Sequence, residues 1–405
     1  MAGTIKTVEG GTLTTVPGFL AGATYAGLKT YSEDKLDLGL VLSETPCSAA
    51  GVFTTSTIRS PSVTVNQEHL AQGPVRGLVV NAGIANTCVG EQGYKDATDM
   101  AALAAARLGI LPEEVLVCST GIIGVELPMS LISTGLGKID LTPEGGHALA
   151  RAMMTTDTRT KETAVTFELD GRQAYLGGVS KGSGMIHPNM ATMLAFVATD
   201  AAVEREFLDT TLREVADATF NMMTVDGDTS TNDTLLVMAN GMAKNRPINS
   251  NSPDADTFKQ AFLEVCTHLA RETARDGEGA SKLIIVELLG ARDTADARKA
   301  ARTIASSNLV KSAVYGADPN WGRVMMALGR SGAAAEEAKV DLFINEVCIM
   351  EKGKPIPFHR DAVVALMASP EVTFRLNLNL GDGQATAWGC DLTEQYVIVN
   401  SAYTT

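Results

Sequence analysis

Lys181-Gly182-Ser183-Gly184-Met185-Ile186-His187-Pro188-Asn189-Met190-Ala191-Thr192-Met193-Leu194-Ala195-Phe196 changes character at its middle. The first half is glycine, proline and polar residues; from Met193 to Val197 the chain is apolar. A turn-prone segment therefore feeds a buried strand. At the junction stands Thr192, preceded by the small Ala191. A Thr hydroxyl held in a tight turn can attack the carbonyl of the residue before it, and Pro188 limits the freedom of the loop. Hydrolysis of the resulting ester would cut the chain and expose Thr192 as a new N-terminus. A free α-amine, with a pKa of about 7.7–8.0, can serve as the base for its own hydroxyl. The same residues also suit an ordinary glycine-rich loop before a strand, because Thr is a good strand residue.

Working outward, the pattern alternates helix and strand. Upstream, two alternating runs near 164–169 and 173–179 flank Asp170-Gly171, a hairpin signal. Strands are predicted at Leu36–Leu42, Pro46–Thr55, 77–83 and 115–119, with helices over 95–108 and 145–154. Downstream, helices are expected at about 204–219, 256–274 and 293–306. Strands are expected at 235–239, 283–288, 309–315, 372–380, 384–389 and 396–399. Asp318–Arg323 reads as a rigid turn anchored by Trp321. The whole is an α/β layered chain.

Composition narrows the function. The 405 residues carry a formal net charge of −14 with no basic block, which argues against a nucleic-acid partner. Six scattered cysteines without a CxxC pair read as buried thiols, neither a disulfide frame nor a zinc site. Five scattered histidines without HExxH predict no metal. The N-terminus lacks a signal or transit pattern and no apolar run reaches spanning length, so no membrane partner and a cytoplasmic location are expected.

Several loops carry candidate chemistry. Thr120-Gly121 ends a buried strand; a hydroxyl beside a glycine N–H can hold a developing oxyanion, or form a plain strand-to-loop turn. Lys181 could bind a phosphate or carboxylate, or be a solvated loop lysine; no P-loop spacing surrounds it. The acidic run Asp226-Gly227-Asp228 does not fit a calcium loop and reads as a hydrogen-bonded loop near a site. Asn81 and Asn86 sit on the loop after a strand, either as binding groups or bonded to their own backbone. Glu278 in Gly277-Glu278-Gly279-Ala280 has the look of a solvated acid.

These motifs, in this order, resemble the ornithine acetyltransferase family, also called glutamate N-acetyltransferase, of arginine biosynthesis. The likeness is nearly unbroken from Gly177 to Asp200 and extends over essentially the whole chain. It rests on Ser119-Thr120-Gly121-Ile122-Ile123-Gly124, Thr155-Thr156-Asp157-Thr158, Lys181-Gly182-Ser183-Gly184-Met185, the 225–233 loop, Gly277–Ala280 and the Asn81–Asn86 segment. The resemblance implies an α/β sandwich shared by two fragments, 1–191 and 192–405, cut at Ala191-Thr192 and assembled as α2β2. It implies Thr192 as nucleophile, Thr120 and Gly121 as the oxyanion hole, and Thr155, Lys181, Thr192, Glu278, Asn400 and Thr405 as substrate contacts. The implied reaction moves acetyl from N-acetylornithine to glutamate through acetyl-Thr192, with no cofactor; acetyl-CoA is a second donor if the enzyme is bifunctional. Two rivals stand beside it: a self-processing aminopeptidase or amidase in which water is the acceptor, and an uncleaved binding protein.

Overall fold

A computed structural model describes residues 5–29, 35–187 and 193–402. Nine strands form the first sheet: β1 Lys6–Thr7, β2 Phe19–Thr24, β3 Leu38–Phe53, β4 Val75–Ile84, β5 Val115–Ile122, β6 Lys161–Leu169, β7 Arg172–Lys181, β8 Leu194–Thr199 and β9 Thr234–Ala239. Their order is β1-β6-β7-β8-β9-β3-β4-β5, with β2 on β3. Six more make the second: β10 Leu283–Ala291, β11 Asp341–Ile344, β12 Val347–Glu351, β13 Lys354–Pro355, β14 Glu371–Asn377 and β15 Gly383–Cys390. The helices are α1 Pro61–Gln72, α2 Gly90–Leu108, α3 Met129–Leu136, α4 Gly146–Met153, α5 Arg205–Ala218, α6 Ala255–Arg275, α7 Thr294–Ala305, α8 Asn308–Tyr315, α9 Trp321–Gly329, α10 Arg360–Met367 and α11 Glu394–Ala402.

The long strand β3 makes the first sheet fold on itself. Residues 38–42 pair with β4 and residues 48–53 with β9, and the register shifts between Leu42 and Cys47. The two halves then face each other. Side chains alternate along each strand, and the burial follows that period. Leu78 and Val80 of β4 and Leu116 and Cys118 of β5 share one core with Phe196 and Ala198 of β8 and Leu236 and Met238 of β9. The intervening Val79, Val115 and Val117 pack with Ala97, Met100 and Ala104 of α2. On the far side, Ala195, Val197 and Leu235 pack with α5 and with Phe258, Phe262 and Val265 of α6. The result is a four-layer α-β-β-α sandwich. Strands covered on both faces read as continuous apolar runs, which is why Met193–Val197 is apolar throughout. The α6 helix also contacts β10 and β15, carrying the core into the second sheet.

The predicted hairpin is present: β6 and β7 pair antiparallel around Asp170 and Gly171, both at positive φ (51° and 72°). Five expectations are corrected. Residues 309–315 lie in α8, because Val310, Ala313 and Val314 are buried at helical spacing, not alternately. Residues 396–399 lie in α11; Thr393 Oγ accepts from the Gln395 N–H at its start, and the β-branched Val397 and Ile398 stay exposed. The 36–42 and 46–55 segments are one bent strand, β3. Trp321 opens α9 after a tight turn at Asp318–Asn320. Of the six cysteines, four are buried, but Cys88 is exposed and Cys348 half-buried.

Candidate active site

Parallel β4 and β5 bring their carboxyl ends together, with Ala82 opposite Thr120 and Gly83 opposite Gly121. Gly121 has φ +129°, and a Cβ there would lie 2.2 Å from the Gly83 carbonyl carbon. Only glycine fits such a backbone approach. The β7 strand ends at Lys181 beside the start of β8, and β9 starts beside β8, with the Thr234 N–H donating to Met193 O. Strand ends from both halves of the sandwich therefore open into one cavity of about 110 Å3.

Lys181 is the hub of that cavity. Its Nζ donates to Thr155 Oγ at 2.9 Å and to Thr120 Oγ at 3.2 Å. Having accepted from Lys181, the Thr120 hydroxyl keeps its own proton for another partner. Among the described residues these two hydroxyls take two of its three ammonium donors. Burial pushes the Lys181 pKa down, against the pull of Asp157.

Across the cavity, Glu278 accepts from Thr156 Oγ and from Asn400 Nδ2, both at 2.7 Å. Thr156 gives its proton to Glu278, so Ser183 Oγ, 2.7 Å away, donates to Thr156. Gly184 leaves room for that acid: a Cβ on it would sit 2.4 Å from the Glu278 carboxylate, which would have to move. Thus Thr120, Gly121, Thr155, Lys181, Glu278 and Asn400, read as candidates from five separated segments, line one pocket. Thr156 lines it as well, whereas Thr158 faces away and donates its backbone N–H to Asp276 at 3.1 Å. Ala191, Thr192 and Thr405 lie outside the described residues.

The sequence reading passed over the groups that hold the pocket in shape. Asp157 is wholly buried; its Oδ1 accepts from Lys161 Nζ at 2.5 Å and from the Gly182 N–H at 2.6 Å, and its Oδ2 from the Thr155 N–H at 3.0 Å. Lys161 Nζ also donates to Asp276 at 2.6 Å. Burial pushes the Asp157 carboxyl up, but Lys161 and Lys181 outweigh that and hold it below the usual carboxylate range. One acid thus fixes both the Thr155 turn and the Lys181 loop. Gly182, at φ +142°, supplies the conformation that aims its N–H at Asp157. Burial sends Asp233 the other way, well above the usual range, and its Oδ2 has no hydrogen-bond partner among the described residues. His187 lies against Thr224, 2.9 Å from Nδ1 to Oγ, and burial pushes its pKa down to about 4. The acidic loop ties in too: Asp226 accepts from the Met185 and Ile186 N–H groups at 2.6 and 2.9 Å. Asn81 bonds its own turn, from Nδ2 to Ile84 O, and Asn86 bonds Gly93 O.

A buried lysine, an acid and paired hydroxyls converging on one small cavity in an α/β sandwich are the equipment of an enzyme acting on a small charged molecule. The family model described as ArgJ family matches residues 20–405. The chain is 48% identical over 405 residues to an arginine biosynthesis bifunctional protein ArgJ from Dehalococcoides mccartyi, covering 100% of both chains. It is 45% identical to the protein of that name from Bacillus subtilis, covering 98% of this chain and 97% of the relative. Among solved structures, the arginine biosynthesis bifunctional protein argJ of Bacillus halodurans matches at 42% identity and TM-score 0.51. That match covers 51% of this chain and 98% of the solved one. The chain belongs to the ArgJ family, the ornithine acetyltransferases of the sequence resemblance.

Proposed function

We propose that this protein cuts itself between Ala191 and Thr192 and then uses Thr192 to carry acetyl from N2-acetylornithine to glutamate. The observation that carries the reading is Lys181 Nζ bridging Thr120 and Thr155, which joins the expected oxyanion hole to the expected substrate site. Thr192 Oγ attacks the acetyl carbonyl. Its proton passes through the new α-amine to the departing ornithine nitrogen as the C–N bond breaks. Glutamate then attacks acetyl-Thr192, and the proton returns to the Thr192 oxygen. Splitting the transfer through an ester gives two easier steps. Thr120 Oγ–H and the Gly121 N–H stabilise each tetrahedral oxyanion. Lys181 offers its ammonium to a substrate carboxylate, and Glu278 offers an anion to a substrate ammonium. Asn400 and Thr405 complete the contacts from the C-terminal end.

No step in this cycle draws on a cofactor. The bifunctional name of the relatives supports acetyl-CoA as a second donor. Among the described residues no helix is long and apolar enough to cross a membrane, in keeping with a cytoplasmic enzyme. The division into 1–191 and 192–405 is part of this reading, and a relative of about half the length fits it: the match takes in 98% of the Bacillus halodurans chain and 51% of this one. Pairing of α and β fragments into α2β2 belongs to the same reading.

The test is isotope exchange. With labelled ornithine and N-acetylornithine but no glutamate, a ping-pong enzyme scrambles label between the two. Release of acetate without exchange, and without transfer when glutamate is added, would make the protein an amidase instead.

A further inference from the structure

Asn232 lies near the end of the acidic loop, two residues before β9. It is buried, and all of its amide capacity is used. Nδ2 donates to Ala85 O at 2.6 Å and to Ser119 O at 2.8 Å. Oδ1 accepts from Thr87 Oγ at 2.9 Å and from Thr231 Oγ at 2.5 Å. Two carbonyls on one side fix which end of the amide is the NH2. Both carbonyls matter to the site. Ser119 C=O belongs to the peptide that enters Thr120, and Ala85 follows the β4 end that Gly121 packs on. The β5 strand lies at the edge of its sheet, so one flank of this segment has no neighbouring strand. Asn232 reaches it from β9, on the facing half of the sandwich.

We propose that Asn232 is a positioning residue of the oxyanion hole, holding the Ser119–Thr120 peptide and the Ala85 turn so that the Thr120 hydroxyl and Gly121 N–H stay aimed at one point. The inference rests on the reading of Thr120 and Gly121 as that hole. An oxyanion stabiliser acts only while its donors are preorganised, and a misplacement of about 1 Å can lower the rate about 10²-fold. The anchor also comes from the second expected fragment while the hole comes from the first. The hole is thereby complete only while the fragments stay assembled.

The experiment is a double-mutant cycle on acetyl transfer from N-acetylornithine to glutamate, with Asn232→Ala, Thr120→Ala and both together. Asn232→Ala is expected to lower kcat about 10- to 10²-fold with KM for N-acetylornithine within about twofold, since Asn232 lines the pocket but spends its whole amide on protein groups. The double variant should be little slower than Thr120→Ala alone, because both changes disable one device. A slow Thr120→Ala with Asn232→Ala at the wild-type kcat overturns the proposal, as does a double variant slowed by the product of the two effects. A wild-type rate for Thr120→Ala would instead remove the oxyanion reading, and the inference with it. If Asn232→Ala does not fold, Asn232→Asp replaces it, keeping volume and acceptor but losing both N–H donors; the same pattern is expected and the same outcomes overturn it.

Discussion

At the residue scale, two buried aspartates near the pocket are driven in opposite directions, Asp157 by its cationic partners and Asp233 by burial. Asp157 is surrounded by donors and by Lys161 and Lys181, and its charge stabilises the fold. Its contribution is present above the ordinary carboxylate pKa of about 3.9 and disappears as acid protonates it. Removing the charge strands Lys161 beside Asp276 alone and unties Thr155 and Gly182. Asp157→Asn should therefore lower unfolding stability by about 3–5 kcal/mol, the usual result of breaking a buried pair, as read by urea denaturation. Asp233 faces the reverse balance, with burial dominant and one oxygen unpaired among the described residues. Its folded pKa is raised, so the fold is favoured fully below about pH 3.9. That advantage is lost as pH rises from there to the folded value. Relative to wild type, Asp233→Asn should become more stable across that rise; midpoints that move in parallel at pH 4 and pH 8 would contradict it. Neither behaviour could be read from the sequence. An Asp in Thr-Thr-Asp-Thr and one in Thr-Asn-Asp look alike until Lys161 and the Gly182 N–H are brought up to the first, while Lys181 acts on both.

At the scale of elements, the pocket is a set of glycine-permitted approaches at strand ends. Gly121 lies on Gly83, and Gly184 lies on Glu278. Gly184→Ala should push the Glu278 carboxylate off Thr156 and Asn400 without disturbing the core. Hydrogen bonds to a charged group contribute about 1.5–3 kcal/mol each. Losing one should raise substrate KM about tenfold or more and leave the melting temperature nearly unchanged. An unaltered KM would mean that Glu278 does not bind substrate through this arrangement. Strands buried on both faces and helices with a full apolar stripe were legible in the sequence: α6 announces itself through Phe258, Phe262, Val265 and Leu269. The misread segments are the short β-branched ones. Val310 and Val314 serve a helix packed between α7 and α9, and Val397 and Ile398 sit in an exposed helix held by Asn400 at Glu278. There, tertiary partners override local strand preference. The α1 helix went unread although its signals are present, Ser60 capping the Ser62 N–H and Pro61 in the first turn.

At the scale of the whole molecule, the expected cut falls in sequence between two strands that pair in one sheet, β7 and β8. The β8 and β9 strands, from residues after 192, lie between β7 and β3, from residues before it. Separating fragments would tear both ladders and split the core between the facing half-sheets. The two pieces should therefore elute together under native conditions and part only in denaturant. The motifs that named the family were legible because each is local. The pocket they form was not, since it depends on β3 bending at Ser43–Cys47 to bring β5 and β9 ends within one asparagine's reach. The most direct test of the central claim is the intact mass of the purified protein in denaturant, with N-terminal sequencing of what is found. Two chains are predicted, one ending at Ala191 and one beginning Thr-Met-Leu-Ala, with Thr192→Ala giving a single inactive chain. A single uncut wild-type chain with full acetyl transfer would contradict it.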